Sequence, residues 1–159
     1  MELVTVKDKQ FAISITEAQI KQRVAEVAAQ ISSDLAGKNP LFVAVLNGSF
    51  VFAADLMRGI ETPSEISFVR FASYTGMQSS GEVKELIGLT DDIKGRTVVI
   101  VEDIIDSGLT MQQLVAQLRE AQPAELLIAA LLVKPGNLVV DLALAYTCFE
   151  IPGDFLVGY

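Results

Sequence analysis

The chain has 159 residues, and its length suits a single domain that buries a sizeable core. A formal net charge of −8 argues against nonspecific nucleic-acid binding, which needs a basic surface. The sequence contains no histidine, which excludes Ser-His-Asp catalysis and the usual histidine zinc sites.

The N-terminus shows no basic region followed by an apolar stretch, so we expect no export, no membrane span and a cytoplasmic location.

The first element predicted along the chain is a helix. Thr16 to Gln19 has the pattern of a capping box, and apolar residues follow at helical spacing from Ile20 to Leu35. Gly37 supplies a stop signal, so the helix is expected to end there.

A buried strand is predicted next, over the apolar run 41–46, followed by a turn at Asn47-Gly48. Ser49 is predicted to cap a second helix that ends near Arg58. Further signals predict strands at 65–71 and 83–89 around a mobile loop 73–82, strands at 97–101, 126–133, 143–149 and 155–158, and a helix at 110–121. Strands that alternate with helices predict an α/β domain with a mostly parallel sheet.

The single cysteine, Cys148, lies in an apolar run and has no histidine to activate it. We therefore expect a buried structural thiol rather than a nucleophile. One cysteine also rules out an internal disulfide, which is consistent with a reducing compartment.

The most informative segment is 98–110, where an apolar strand ends in Glu102-Asp103 and a short polar loop opens the next helix. Ligands of open α/β sheets bind beyond the carboxyl ends of the strands. The start of the helix offers free backbone N–H groups and a positive dipole end, to which Ser107 and Thr110 add hydroxyl groups. Gly108 allows the backbone to approach a phosphate closely.

The two carboxylates are not expected to face that phosphate. Like charges 4 Å apart cost about 4 kcal/mol at an effective dielectric constant of 20. A ribose diol or a Mg2+ ion is the natural partner for Glu102 and Asp103. The segment therefore predicts a site for a ribose 5-phosphate.

Residues 99–110 resemble the phosphoribosyl pyrophosphate (PRPP) motif of type I phosphoribosyltransferases, in the form typical of the hypoxanthine-guanine branch. Four further segments resemble the same family in the same order: Leu-Asn-Gly-Ser-Phe at 46–50, Ser-Tyr followed by Gly-Glu-Val-Lys within 73–84, Leu-Leu-Val-Lys-Pro at 131–135, and Phe-Glu-Ile-Pro followed by Phe-Leu-Val-Gly-Tyr within 149–159. The resemblance implies a type I phosphoribosyltransferase fold over 1–159, a mostly parallel central sheet flanked by helices, with a small hood and a mobile lid loop.

The resemblance also implies a role for each matching residue. Asp106 would be catalytic and would accept the N7 proton of the purine. The other matches are Glu102 and Asp103 for the ribose hydroxyls and a metal; Asp106, Ser107, Gly108, Leu109 and Thr110 for the 5′-phosphate; Leu46, Asn47 and Gly48 for the pyrophosphate; Ser73 and Tyr74 for the lid; and Lys134, Phe155 and Leu156 for the purine.

The implied activity is purine salvage: IMP or GMP and pyrophosphate from hypoxanthine or guanine and PRPP, with Mg2+ as cofactor. The acidic net charge without a Lys/Arg cluster disfavours a nucleic-acid partner, and the lack of a membrane-length apolar run disfavours a membrane partner. A homodimer or homotetramer is expected, because the apolar content of 51% indicates apolar surface covered by another subunit. Without the family match, Lys134 would be a solvated strand end and Phe155 a core residue.

Two departures from the family pattern affect the expectations. Asn47 stands where many relatives carry Lys or Arg, so we expect weakened rather than abolished pyrophosphate binding. The family pattern continues past the position of Tyr159 with an acidic metal ligand and an arginine, and neither is among the 159 residues. Two interpretations stay open: a tail follows, or a shortened enzyme has impaired turnover.

Other functions on the same fold remain open at this point. One is a xanthine-preferring phosphoribosyltransferase, which would depend on groups near the purine 2-position. Another is a non-catalytic regulator that senses PRPP or a nucleotide, because a fold does not fix a function. Adenine or orotate specificity is disfavoured by Lys134 and the C-terminal motif.

Overall fold

The computed structural model describes residues 2–75 and 82–159, in which strands and helices alternate along most of the chain. The elements are β1 (Leu3–Val6), β2 (Lys9–Ala12), α1 (Glu17–Asp34), β3 (Leu41–Val45), α2 (Phe50–Gly59), β4 (Glu65–Thr75), β5 (Glu82–Ile87), β6 (Thr97–Ile105), α3 (Leu109–Glu120), β7 (Glu125–Val133), a 3-10 turn (Pro135–Asn137) and β8 (Tyr146–Glu150).

The described strands form a hairpin of β1 and β2 and a larger sheet in the order β5-β4-β3-β6-β7-β8. Neighbours in the larger sheet run parallel, except that β5 is antiparallel to β4. Each residue of β3 is buried, as are the first five residues of β6. Such unbroken apolar runs form because a parallel sheet is covered on both faces. The predicted α/β class with a mostly parallel sheet is confirmed.

Two hydrophobic layers cover the sheet. On one face, α1 and α2 pack against Phe42, Ala44 and Val99. On the other face, α3 packs against Val43 and Ile100. The alternation of side chains along each strand sends neighbouring residues to opposite layers, so a single apolar run serves both.

The first helix begins where the sequence predicts. Gln19 N donates to Thr16 Oγ1 at 3.2 Å, and Thr16 N donates to Gln19 Oε1 at 2.8 Å, so the capping box is formed. The helix ends at Asp34, about one turn earlier than the predicted stop at Gly37, which adopts a left-handed φ of +78° in the following turn.

Side-chain hydrogen bonds link the outer strand β8 to α1. Arg23 donates to the carbonyl of Cys148 at 2.8 Å and to that of Thr147 at 2.9 Å. Tyr146 OH donates to Asp34 Oδ2 at 2.9 Å, which adds a second link between the same two elements. These bonds fix the helix against the edge of the sheet.

Several predicted boundaries are wrong. Ser49 does not cap α2 through its side chain; its hydroxyl donates to the Val45 carbonyl at 2.6 Å instead. Strand β6 does not stop at Val101, because backbone pairing with β7 continues to Ile105 regardless of the two acidic residues. The predicted strand over 155–158 is absent from the described residues, and β8 begins only at Tyr146.

The N-terminal hairpin and the region of the predicted lid also differ from expectation. The hairpin was not predicted, because it is largely exposed and its turn, with Lys7 at φ +55°, lacks an Asn-Gly signal. The start of the predicted loop 73–82 belongs to β4, which runs to Thr75 and pairs with β5. Residues 76–81 lie outside the described residues.

Within 2–75 and 82–159, no helix combines the length and the apolar character that crossing a bilayer requires.

Candidate active site

The candidate site lies where the carboxyl ends of three neighbouring strands meet. Strands β3, β6 and β7 are parallel and adjacent, so the residues that follow each of them share one edge of the sheet. These residues are the turn 46–49 after β3, the loop 106–108 after β6 and Lys134 after β7. Three motifs that lie far apart in sequence are therefore neighbours in space, as ligand sites of open α/β sheets require.

The loop between β6 and α3 encloses a small cavity of about 130 Å³. Gly108 precedes α3 with φ +84°, and a Cβ atom on it would lie only 2.8 Å from Val140 Cγ2. Glycine thus satisfies both the backbone conformation and the close approach of segment 138–142. The residues that line the cavity are Glu102, Ile104, Ile105, Asp106, Ser107, Gly108, Thr110 and Met111.

The predicted phosphate residues are thus largely brought together. Ser107 Oγ accepts from Leu109 N at 3.3 Å, and Val139 N donates to the Ser107 carbonyl at 3.0 Å. The helix begins at Leu109, one residue before the predicted start. Leu109 is exposed and does not line the cavity, whereas Thr110 does.

The acidic pair at the end of β6 contacts the turn after β3. Glu102 is half-buried and its Oε1 accepts from Asp103 N at 2.9 Å. Burial first, and then the hydrogen bond and charge of Asp103, raise the pKa of Glu102 to about 9. The Asp103 carboxylate lies against Gly48, where an added Cβ would be 2.5 Å from Asp103 Oδ2. The turn includes a cis peptide bond between Leu46 and Asn47.

Asp106 and Lys134 form an ion pair that joins β6 to β7. Lys134 is buried, with 6% of its surface exposed, whereas the side chain of Asp106 is 56% exposed. Lys134 Nζ lies 3.3 Å from Asp106 Oδ2, and Asn137 Nδ2 donates to Asp106 Oδ1 at 2.8 Å. The hydrogen bond from Asn137 lowers the pKa of Asp106 most, and Lys134 lowers it further. The carboxylate is therefore ionised near neutral pH and available as a proton acceptor.

The segment after β8 carries the predicted purine residues. Phe155 is 74% exposed. The interpretation of Phe155 as a core residue, which would hold without the family match, is therefore wrong. Its ring centroid lies 6.4 Å from that of Phe11 on β2, with the planes tilted by 42°. Leu156 is half-buried, and Gly153 lies against the Asn137 side chain.

Comparisons with known proteins match this architecture. A model of the phosphoribosyl transferase domain matches residues 14–159. The chain belongs to the phosphoribosyltransferase family. It is 42% identical over 148 residues to the hypoxanthine-guanine phosphoribosyltransferase of Streptococcus pneumoniae, covering 92% of this chain and 82% of that relative. It is also 42% identical to the hypoxanthine phosphoribosyltransferase of Salmonella typhimurium, over 92% of this chain and 84% of that one.

A solved structure agrees with the fold of this phosphoribosyltransferase. The crystal structure of a hypoxanthine-guanine phosphoribosyltransferase from Bacillus anthracis superposes with a TM-score of 0.78 at 38% identity. The match covers 91% of this chain and 84% of that one. The expected type I phosphoribosyltransferase fold is confirmed.

The predicted lid residues of the phosphoribosyltransferase lie in a strand. The backbones of Ser73 and Tyr74 pair with Lys84 and Val83 across β4 and β5. The remainder of the predicted lid, 76–81, falls outside the described residues.

The prediction for Cys148 is confirmed: the thiol is free and buried. Burial raises its pKa to about 11, so at neutral pH it stays protonated and is a poor nucleophile. The sequence analysis missed Asn137 and Phe11. No local pattern marks either one, because their partners Asp106 and Phe155 are distant in the chain.

Proposed function

We propose that this phosphoribosyltransferase salvages purines, making IMP or GMP and pyrophosphate from hypoxanthine or guanine and PRPP. The observation that carries the proposal is the pairing of buried Lys134 with exposed Asp106 beside the cavity at the start of α3. This pair offers one donor and one acceptor to a purine edge, next to a site suited to a phosphate. The bacterial relatives that are 42% identical carry the same activity in their names.

The 5′-phosphate of PRPP binds in the cavity lined by Asp106, Ser107, Gly108 and Thr110, with Leu109 beginning the helix beside it. Backbone N–H groups at the start of α3 and the hydroxyl groups of Ser107 and Thr110 are its donors. The left-handed Gly108 keeps the backbone close to the phosphate. Glu102 and Asp103, which precede this loop on β6, accept hydrogen bonds from the ribose hydroxyls.

The purine reacts through its imidazole edge. N9 forms a bond to C1′ of the ribose while the bond from C1′ to the pyrophosphate oxygen breaks. The N7 proton passes to the carboxylate of Asp106, which the two donors on its oxygens keep ionised. Lys134 donates to the purine O6, which selects 6-oxopurines over adenine. Phe155 stacks on the base, and the Leu156 backbone contacts its edge.

The departing pyrophosphate meets the turn Leu46-Asn47-Gly48. Asn47 is neutral, so the backbone N–H groups of the turn supply most of the attraction. Gly48 must stay without a side chain because Asp103 occupies the space that a Cβ would fill. Ser73 and Tyr74 belong to a lid that keeps water from the reacting ribose.

The residues at the end of β6 fit a Mg2+ ion. Mg2+ takes one or two carboxylates and completes its shell with water and substrate oxygens. Among the described residues no group of three or more acidic or thiol side chains gathers as a closed metal cage, whereas Glu102 and Asp103 offer two carboxyl groups at the ribose position. Burial raises the pKa of Glu102 to about 9, and a cation bound there would favour its ionised form. A bound Mg2+ would neutralise the charge that develops on the pyrophosphate.

We also propose that two or more copies associate. Phe50 at the start of α2 is 61% exposed, and Phe68 on β4 is 43% exposed. Phe68 pairs with Ala44, so its side chain lies on the face of the sheet that α1 and α2 cover elsewhere. Large exposed aromatic side chains of this kind are candidates for contact with another subunit. A monomeric mass at micromolar concentration in light scattering would contradict this proposal.

The proposed setting is a cytoplasmic enzyme whose residues 1–159 form one phosphoribosyltransferase domain. The free, buried Cys148 is in keeping with a reducing compartment. The match of the family model to 14–159 supports the domain assignment.

The test is product formation from PRPP and Mg2+ with hypoxanthine, guanine and xanthine in separate reactions. IMP and GMP are the expected products, and omission of Mg2+ is expected to abolish turnover. A preference for xanthine would correct the substrate, because Lys134 selects the 6-oxo group that all three bases share. Binding of PRPP or nucleotide with no turnover of any base would overturn the enzymatic proposal and favour a sensor.

A further inference from the structure

Asn137 occupies the last position of the short turn after Lys134. Its backbone N–H donates to the Lys134 carbonyl at 3.0 Å, which places the side chain on the same side of the sheet edge as the ion pair. Its Nδ2 donates to Asp106 Oδ1 at 2.8 Å, while Lys134 Nζ reaches Oδ2 at 3.3 Å. Each oxygen of the carboxylate thus has its own donor.

The same amide lies beside the purine segment at Gly153. A Cβ atom on Gly153 would lie 3.0 Å from Asn137 Oδ1, tighter than ordinary van der Waals contact. Gly153 stands two residues before Phe155, at the start of the stretch that carries the proposed stacking residue. One small side chain therefore touches both the proton acceptor and the segment that holds the base.

We infer that Asn137 is a positioning residue: its amide fixes the rotation of the Asp106 carboxylate relative to the purine segment that begins at Gly153. This inference rests on the proposed function, because it assumes that Asp106 accepts the N7 proton. The shorter of the two hydrogen bonds to the carboxylate comes from Asn137. A side chain as exposed as Asp106 is not held by packing, so its donors set its orientation.

Asn137 also supplies one of the two hydrogen bonds to Asp106, so Lys134 does not hold the carboxylate alone. The lysine amine has three protons and is proposed to serve the purine O6 as well as Asp106. With Asn137 holding Oδ1, the amine can turn toward the base without releasing the carboxylate. A proton acceptor displaced by as little as 1 Å loses much of its rate advantage.

The experiment compares Asn137→Asp, Asn137→Leu and a control, Gly136→Ala, in the unaltered full chain. Asn137→Asp keeps the shape of the side chain but removes the donor and adds a like charge beside Asp106. Asn137→Leu keeps a similar volume and removes both polar groups. Gly136 is in the same turn, and a Cβ on it meets nothing within 4 Å, so its substitution leaves the amide in place.

The expected result is a split between turnover and binding. Both Asn137 variants should lower kcat by about 10-fold, the scale of one lost hydrogen bond to a charged group, while KM for PRPP changes by less than about 2-fold. Thermal unfolding midpoints should match that of the unaltered chain, and Gly136→Ala should match it in every measure. If Asn137 served packing alone, Asn137→Asp would retain kcat.

A second variant approaches the amide from the opposite side. Gly153→Ala pushes on Asn137 Oδ1 without touching Asp106, and it should lower kcat by about 3-fold through the displaced amide. Wild-type kcat in both Asn137→Asp and Gly153→Ala would overturn this inference and leave the proposed function standing. No turnover by the unaltered chain would overturn the proposed function, and the inference with it.

Discussion

The phosphate end and the purine end of this site are built in different ways. The phosphate end, 102–110, is one continuous stretch in which a strand, a loop and a helix start follow each other, and some of its hydrogen bonds join near neighbours, such as Asp103 N to Glu102 and Leu109 N to Ser107. Segment 138–142 packs against its loop. The purine end, 151–159, has no helix or strand among its residues. It is held by scattered contacts: Gly153 with Asn137, Phe155 with Phe11, and Tyr159 OH with Asp55 Oδ2 at 2.8 Å.

This difference indicates that selection of the base and the chemical step depend on different parts of the site. The proposed phosphate and ribose contacts come from one local motif. The proposed purine residues lie in a segment whose position depends on side chains from several elements. Substitutions at the purine end should therefore change KM for the base, and substitutions at the phosphate end should change PRPP binding. Asp106 belongs to both ends.

The largest expected effect is that of Asp106→Asn. Loss of the proton acceptor should lower kcat by about 100-fold or more, while the binding of PRPP remains largely intact because the loop and helix start are preserved. Steady-state rates and PRPP titration measure the two quantities. The control is Asp141→Asn, which makes the same change of charge at an exposed position. Equal loss of turnover and PRPP binding would contradict the assigned role.

Lys134→Met should produce the next largest effect, confined to the purine end. Methionine has similar length and suits a buried position, so the fold should persist. Loss of the donor to O6 should raise KM for hypoxanthine on the order of 30-fold, with KM for PRPP little changed. Lys94→Met, at an exposed position of a distant turn, is the matched control. A rise in KM for PRPP of the same size would show that the two ends are not separable at Lys134.

Phe155→Leu should have a smaller effect of the same kind. Removing the ring loses stacking on the base and the contact with Phe11, and KM for the base should rise about 5-fold. Phe155→Tyr keeps the ring and should retain the original KM. Base titration of the three proteins measures the difference, and an equal KM for all three would remove Phe155 from the purine site.

Asn47→Lys tests the phosphate end of the site. A cation in the pyrophosphate turn should lower KM for PRPP about 3-fold at low salt, because exposed charges contribute modestly. The gain should shrink at 1 M salt, where screening is strong. Gln30→Lys on the exposed surface of α1 adds the same charge as a control. An unchanged KM in Asn47→Lys would mean that the backbone of the turn alone binds pyrophosphate.

The same contrast explains what the sequence could predict. Thr16-Glu17-Ala18-Gln19 contains its own capping partners, and the Glu102-to-Thr110 segment is one continuous motif. Local pattern was therefore sufficient to predict α1 and to identify the residues of the phosphate end. Asn137 acts on a residue 31 positions earlier, and Tyr159 on a residue 104 positions earlier. No window of local sequence contains such pairs. The residues of the purine end were predicted from the family resemblance, whereas the contacts that hold them are visible only in the structure.

Two errors have specific physical causes. The prediction that β6 ends at Val101 relied on apolar character, but a strand continues as long as its backbone pairs, and Ile104 and Ile105 pair with β7. The predicted strand over 155–158 was inferred from an apolar run, yet this segment pairs with no strand among the described residues. Apolar character indicates burial or contact, whereas strand formation requires a neighbour.

The bonds from Arg23 to the carbonyls of Thr147 and Cys148 have a consequence for solubility. A strand at the border of a sheet offers unpaired backbone groups that recruit strands from other chains into aggregates. In β8, a guanidinium group already occupies two backbone acceptors, and its charge discourages an incoming apolar strand. An enzyme with such an apolar composition gains protection during synthesis and storage at the border where its sheet would otherwise grow.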